Sequence, residues 1–148
     1  MSTSLEDIFE EVYTKFKLQF YRRIFQRFEE REASLTLVEA YSIEIINFLG
    51  SPTVSEFAKF LNISVANATY KVQSLTRKGY LRKERSKADR RESYLHVTDR
   101  FNEYKSLSSS YVSTIVKRIE KACAPEDTAT FQRVLNIIST DLMPELKA

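Results

Sequence analysis

Residues 53–79 constrain the fold more than any other stretch of the chain. Thr53-Val54-Ser55-Glu56 has the spacing of a capping box, in which a threonine hydroxyl and a glutamate three residues on satisfy the free N–H groups of a first helical turn. Gly50-Ser51-Pro52 stands just before it and stops any preceding helix, because glycine accepts a left-handed cap and proline cannot continue. Phe57, Ala58 and Leu61 then recur at helical spacing, with room for a helix of only about eight residues. Asn62-Ile63 is a very short link, and Ser64 is a good N-cap for a second helix over 65–77. In that helix Ala68, Val72 and Leu75 share one face, and Gly79 closes it. A short packed helix, a tight turn and a second helix with a polar outer face make a helix-turn-helix.

Charge marks the same region. Residues 64–91 hold nine basic and two acidic side chains, a net +7, whereas residues 1–63 net −3 and residues 92–148 net −1. A positive excess confined to 28 residues is the footprint of a polyanion-binding surface, with a solvated basic face as the alternative. Residues 80–84 and 93–97 read as the arms of a hairpin around a charged tip, 86–92. No Asn-Gly or Asp-Gly fixes a tight turn there, so a longer, mobile loop is expected.

Helices flank this lobe. Leu5, Ile8, Phe9, Val12, Phe16, Phe20, Ile24 and Phe28 form a stripe widened by Tyr13, Tyr21 and Phe25, which predicts one helix over 5–30. Thr36-Leu37-Val38-Glu39 is a second capping box and opens a helix from about 37 to 48. Thr98-Asp99 starts another long helix with Phe101, Tyr104, Leu107, Tyr111, Val112, Ile115, Val116 and Ile119 as its stripe, and Ser108-Ser109-Ser110 is a place for a bend. Pro125 begins a last helix, with Phe131, Val134, Leu135, Ile138 and Leu142 apolar and Pro144 at its end. Only two glycines and three prolines occur, which fits a mainly α fold. The expected organisation is a winged helix-turn-helix lobe over 36–98 and a helical dimerisation region made of 1–35 and 99–148. Long amphipathic helices need a covering surface, and a second copy of the chain is preferred here over packing within one copy.

Double-stranded DNA is the polyanion this arrangement fits. A helix enters the major groove, where each base pair shows a distinct edge. Val65, Ala66, Asn67, Thr69, Tyr70 and Gln73 lie off the core face and are the candidate groove contacts. Asn67 suits adenine, Thr69 a phosphate or base, and Val65 or Ala66 a thymine methyl. Otherwise Asn67 and Thr69 are solvated helix residues, and the Tyr70 ring covers the neighbouring hairpin. Ser64, Lys71, Arg77, Lys78, Arg82 and Lys83 are candidate phosphate contacts, which position the protein and make affinity salt-dependent. The tip Lys87-Ala88-Asp89-Arg90-Arg91 suits an electronegative minor groove, and Asp89 is expected to accept from the loop backbone or an arginine.

Residues 55–99 resemble the MarR family of transcriptional regulators. The resemblance is carried by Phe57-Ala58-Lys59-Phe60-Leu61, by the Ser64-capped helix, by Leu75-Thr76-Arg77-Lys78-Gly79, by Asp89 and Arg91 in the wing's Asp-x-Arg, and by Val97-Thr98 after it. It implies a homodimer whose first and last helices interlock, with one recognition helix per subunit in successive major grooves of a pseudo-palindrome. It also implies wing arginines at the flanking minor grooves, Arg90 as the tip contact and Arg91 as the Asp-x-Arg arginine, with the roles exchangeable. Many such proteins repress until a small phenolic or lipophilic effector binds; Tyr13, Phe16, Tyr41 and Phe101 are the candidates to line such a cleft, or else belong to the core. Phe101 stands where the family commonly has glycine, which puts that cleft in doubt.

Other classes find little support. Catalysis needs a nucleophile, a base and an orienting group, yet the single histidine and single cysteine lie 27 residues apart with no accompanying motif. His96 and Cys123 fall short of a structural zinc set, and one cysteine makes no intrachain disulfide, so no cofactor is expected. Cys123, beside Lys121, reads as half-buried and not as a redox sensor. The acidic start lacks a signal peptide's basic region, and no run of 18 apolar residues occurs; a cytoplasmic protein without membrane contact is expected. A winged-helix protein-interaction module or a non-specific DNA binder is the rival reading.

Overall fold

The computed structural model describes residues 2–28 and 35–146. Its elements run α1 (Leu5–Phe28), α2 (Leu37–Leu49), α3 (Val54–Leu61), α4 (Val65–Arg77), β1 (Leu81–Arg85), β2 (Ser93–Val97), α5 (Asp99–Ala122) and α6 (Pro125–Ile137), followed by a π-helical turn, Ile138–Leu142. The order is the one the sequence predicts. Residues 29 and 30, included there in the first helix, lie outside the described residues, as do residue 1 and the rest of 29–34 in the region 1–35 and residues 147–148 in 99–148. The fold is mainly α with a two-stranded antiparallel wing.

The chain divides into two units, Met1–Leu107 and Ser108–Ala148. The first unit holds the core. Ile43 and Ile46 of α2, Phe57 and Ala58 of α3, Ala68, Val72 and Leu75 of α4, and Leu95 of β2 are all buried together with Tyr80 and Leu81. Three N-caps set this packing: Thr36, Thr53 and Ser64 are extended, and each side chain accepts from the backbone N–H three residues on. Gly50 ends α2 in the left-handed conformation at φ 71°, and Asn62 does the same for α3 at φ 54°. Asparagine tolerates that region better than other non-glycine residues, which permits the three-residue turn into α4.

On the other side of this core, Ile24 of α1 is buried and Phe20 meets the Tyr104 ring edge-on, with centroids 5.6 Å apart. Arg23 Nη1 donates to the Leu107 carbonyl at 3.0 Å. The Tyr104 hydroxyl and the Glu44 carboxyl interact electrostatically. Burial pushes the Tyr104 phenol far up from its ordinary value, and the Glu44 charge pushes it further. The N-terminal part of α1 is different: Leu5, Ile8, Phe9, Val12 and Tyr13 are all exposed.

In the second unit, α5 is helical through Ser108–Ser110, so the serine run makes no break. Ser108 and Ser109 leave the backbone ladder in place, and Thr114 Oγ1 bonds back to the Ser110 carbonyl at 3.0 Å. No residue of α6 is buried. Val112, Val116, Phe131, Val134, Leu135, Ile137, Leu142 and Met143 are apolar and exposed. Cys123 is exposed as well, contrary to the half-buried reading, because the first turn of α6 leaves its side chain open beside a cavity of about 330 Å³ lined with Ile119 and Phe131. No helix is long and apolar enough to cross a membrane among the described residues.

Candidate nucleic-acid interface

Burial of one face of α4 decides what the other face presents. Ala68, Val72 and Leu75 have no exposed surface, so Val65, Ala66, Asn67, Tyr70 and Gln73 are turned outward on the same 13-residue helix. Val65 is 54% and Tyr70 72% exposed. The Tyr70 ring therefore does not cover the hairpin and stands in solvent on a polar helix face. Ser64 Oγ accepts from the Asn67 backbone N–H at 3.0 Å, which orders the first turn, and the Asn67 side chain is exposed. Thr69 is half-buried, and its hydroxyl donates to the Val65 carbonyl at 2.8 Å. In that rotamer Thr69 offers an acceptor, which suits an amino group on a base and not a phosphate oxygen.

The proposed phosphate cations do not form one set. Arg77, Arg82 and Lys83 are exposed, and Lys71 is half-buried. Lys78 differs from them in being engaged within the protein: its Nζ lies 2.7 Å from Glu39 Oε2 and 3.0 Å from Oε1, with both side chains mostly buried. Ser74 Oγ also donates to Glu39 at 3.2 Å. The Glu39 carboxylate thus joins α2 to α4 and does not turn back to its own helix cap, because an ammonium and a hydroxyl converge on it. Arg85, exposed at the end of β1, is a further cation that sequence reading did not single out. Its place in the charge run was its only signal.

The wing is more ordered than a mobile loop. Five residue pairs join the strands, from Leu81 opposite Val97 to Arg85 opposite Ser93. At the tip Ser86 N–H donates to the Glu92 carbonyl at 3.0 Å, Asp89 N–H to Ser86 Oγ at 3.2 Å, and Glu92 N–H to the Asp89 carbonyl at 3.0 Å. Ser86 and Asp89 side chains therefore do the work that an Asn-Gly pair does in a shorter turn. Asp89 Oδ1 accepts from the Arg91 backbone at 3.0 Å and from Arg91 Nε at 3.3 Å. The Arg91 side chain nevertheless stays 92% exposed, and Lys87 and Arg90 are exposed beside it. Both acids of the tip are engaged by the protein, since Glu92 Oε1 accepts from Ser55 of α3 at 2.7 Å.

The base of the wing is tied to the helices. Leu95 N–H donates to the Pro52 carbonyl at 2.8 Å, and Thr53 bridges Tyr94. His96 bonds Glu84 at 2.8 Å through Nε2 and Ser51 at 3.1 Å through Nδ1. Among the described residues no His, Cys, Asp and Glu cluster suits a metal ion.

The four aromatic residues offered for an effector cleft separate. Phe101 is 2% exposed with its ring 5.9 Å from Tyr104, so it belongs to the core. Tyr13 and Tyr41 are exposed, and Phe16 is half-buried.

The MarR family model matches residues 35–93, which span the second helix, the helix-turn-helix and most of the wing. An HTH-type transcriptional regulator of Bacillus subtilis, YkoM, is 29% identical over 76 residues, 51% of this chain and 49% of that relative, so the similarity spans about half of its length. Streptococcus pneumoniae FabT, solved in complex with DNA, has a similar fold with a TM-score of 0.63 at 23% identity, covering 94% of this chain and 97% of that one. A MarR family protein from Bacillus stearothermophilus gives 0.69 at 14% identity, covering 94% and 93%.

Proposed function

We propose that the chain is a member of the MarR family of winged helix-turn-helix proteins, whose model matches residues 35–93, and that it is a homodimeric, sequence-specific DNA-binding regulator of transcription. The carrying observation is the outer face of α4, where Val65, Asn67 and Tyr70 are exposed while the opposite face is sealed in the core. In this reading α4 lies in the major groove, and Arg90 and Arg91 reach the minor groove from a tip whose acids are already engaged. Arg77, Arg82 and Lys83 hold phosphates. The exposed apolar residues of α1, α5 and α6 are covered by a second copy of the chain. Two α4 helices then meet a pseudo-palindrome, and occupancy of a promoter by the dimer represses it. An effector that relieves repression would be a small phenolic or lipophilic molecule held at Tyr13, Phe16 and Tyr41; Phe101 is withdrawn from that set.

Titration of a mixed-sequence duplex at two salt concentrations tests the reading. Six to ten phosphate contacts predict a fall in affinity of about 10³–10⁵ between 50 and 200 mM salt. Absence of binding, or binding that ignores salt, would point instead to a winged helix that docks on protein.

A further inference from the structure

We propose that Arg100 is a positioning residue for the recognition helix, an inference that rests on the DNA-binding reading above. Arg100 lies in the first turn of α5, and its Nη1 donates to the Lys78 carbonyl at 2.8 Å. Lys78 is the C-cap of α4, where free carbonyls and the negative end of the helix dipole favour a cation. The same guanidinium sits over the Tyr80 ring, 5.2 Å from its centroid, and Tyr80 is 1% exposed. Two bonds from Thr98 complete the latch: Oγ1 donates to the Gly79 carbonyl at 2.6 Å, and the backbone N–H donates to the Tyr80 carbonyl at 3.1 Å.

Gly79 makes the approach feasible. It has φ +84°, and a Cβ there would stand 3.4 Å from Arg100 Nη1. The carbonyl of Lys78 is thus held by α5 while its ammonium is held by Glu39 of α2. Both anchors are at the C-terminal end of α4, and the base-reading residues are at its N-terminal end. A 13-residue helix is about 20 Å long, so a tilt of about 3° at the anchored end moves Val65 by about 1 Å. Hydrogen bonds to bases do not survive displacements much larger than that.

Arg100→Ala and Arg100→Lys separate positioning from other roles. One readout needs no DNA: backbone hydrogen exchange at Lys78, Gly79 and Tyr80, against Phe57 of α3 as an internal reference. Arg100→Ala is expected to speed exchange in that turn about tenfold and leave Phe57 unchanged, with Arg100→Lys between the two. The second readout is affinity for the duplex that the unaltered protein prefers in a random pool, divided by affinity for a scrambled duplex. That ratio is expected to fall about tenfold in Arg100→Ala, with the scrambled affinity and its salt slope unchanged. Unchanged exchange overturns the latch. Faster exchange with an unchanged ratio makes Arg100 a stability contact only, and a parallel loss on both duplexes with a slope shallower by about one makes it a phosphate contact; either overturns the proposal. Lack of any preferred duplex for the unaltered protein overturns the DNA-binding reading itself, and the exchange result tells that failure from failure of the latch.

Discussion

Two lysine and arginine neighbours, Arg77 and Lys78, show why charge alone does not assign a contact. Arg77 is exposed at the end of α4, whereas Lys78 is bound to Glu39 and only 23% of its side chain is exposed. Substituting each with glutamine is predicted to give different salt plots on a mixed-sequence duplex. Arg77→Gln should lower the slope by about one, and Lys78→Gln should lower thermal stability and leave the slope unchanged. A reduced slope for Lys78→Gln would restore it to the phosphate set. At the wing, Arg90→Ala should weaken binding to a preferred duplex while the dimer stays intact, since Arg90 is exposed and sits at the tip. Unchanged affinity in a gel-shift titration would remove Arg90 from the interface. Ser64 has two roles to separate. Its cap is worth about 1 kcal/mol, so Ser64→Ala should unfold at lower denaturant and Ser64→Gly should lose only a few tenths.

Among the elements, α4 is held by a core face of three residues, each fully buried. Leu75→Ala is predicted to cost about 2–5 kcal/mol in equilibrium unfolding, and a loss under 1 kcal/mol would mean that the site collapses around the deletion. Gly79→Ala should cost about 1 kcal/mol or more, since the position combines φ +84° with the Arg100 side chain. These elements were legible in the sequence wherever a local rule sets them. Thr36, Thr53 and Ser64 mark helix starts through side chains that bond three residues on, and Gly50 marks an end through its left-handed backbone. Ala68, Val72 and Leu75 mark a face through period alone. What was not legible depends on residues far apart in the chain. Glu39 and Lys78 are 39 positions apart, Arg100 and Lys78 are 22, and Ser55 and Glu92 are 37. No spacing rule joins such pairs, so the Glu39 partner of Lys78 and the Arg100 contact went unnoticed. Phe101 was left open between cleft and core for a related reason: an aromatic ring at helical spacing is read the same way whether it lines a cleft or fills a core.

For the whole molecule, burial is unevenly shared. The elements α2, α3, α4 and the wing enclose a buried core, with Leu37, Tyr41, Val65 and Tyr70 outside it, while Leu5, Phe9, Tyr13 and Phe25 in α1 and Phe131, Leu135 and Leu142 near the C-terminus stay exposed. A pair of chains that covers them explains why helices so apolar are present, and it predicts sedimentation at twice 17.3 kDa at micromolar concentration. A folded 17.3 kDa monomer under those conditions would remove the dimer from the account. In the proposed dimer, two α4 helices related by a two-fold axis would read two half-sites of opposite sense. Selection of bound sequences from a random duplex pool therefore tests whether the protein reads DNA as a symmetric pair. The account predicts an inverted repeat with half-site centres about 10–10.5 base pairs apart or a multiple of that distance, and recovery lost when Asn67 and Tyr70 are both changed to alanine. A pool that emerges with no shared sequence, or one equally enriched by the Asn67→Ala, Tyr70→Ala double variant, would contradict it.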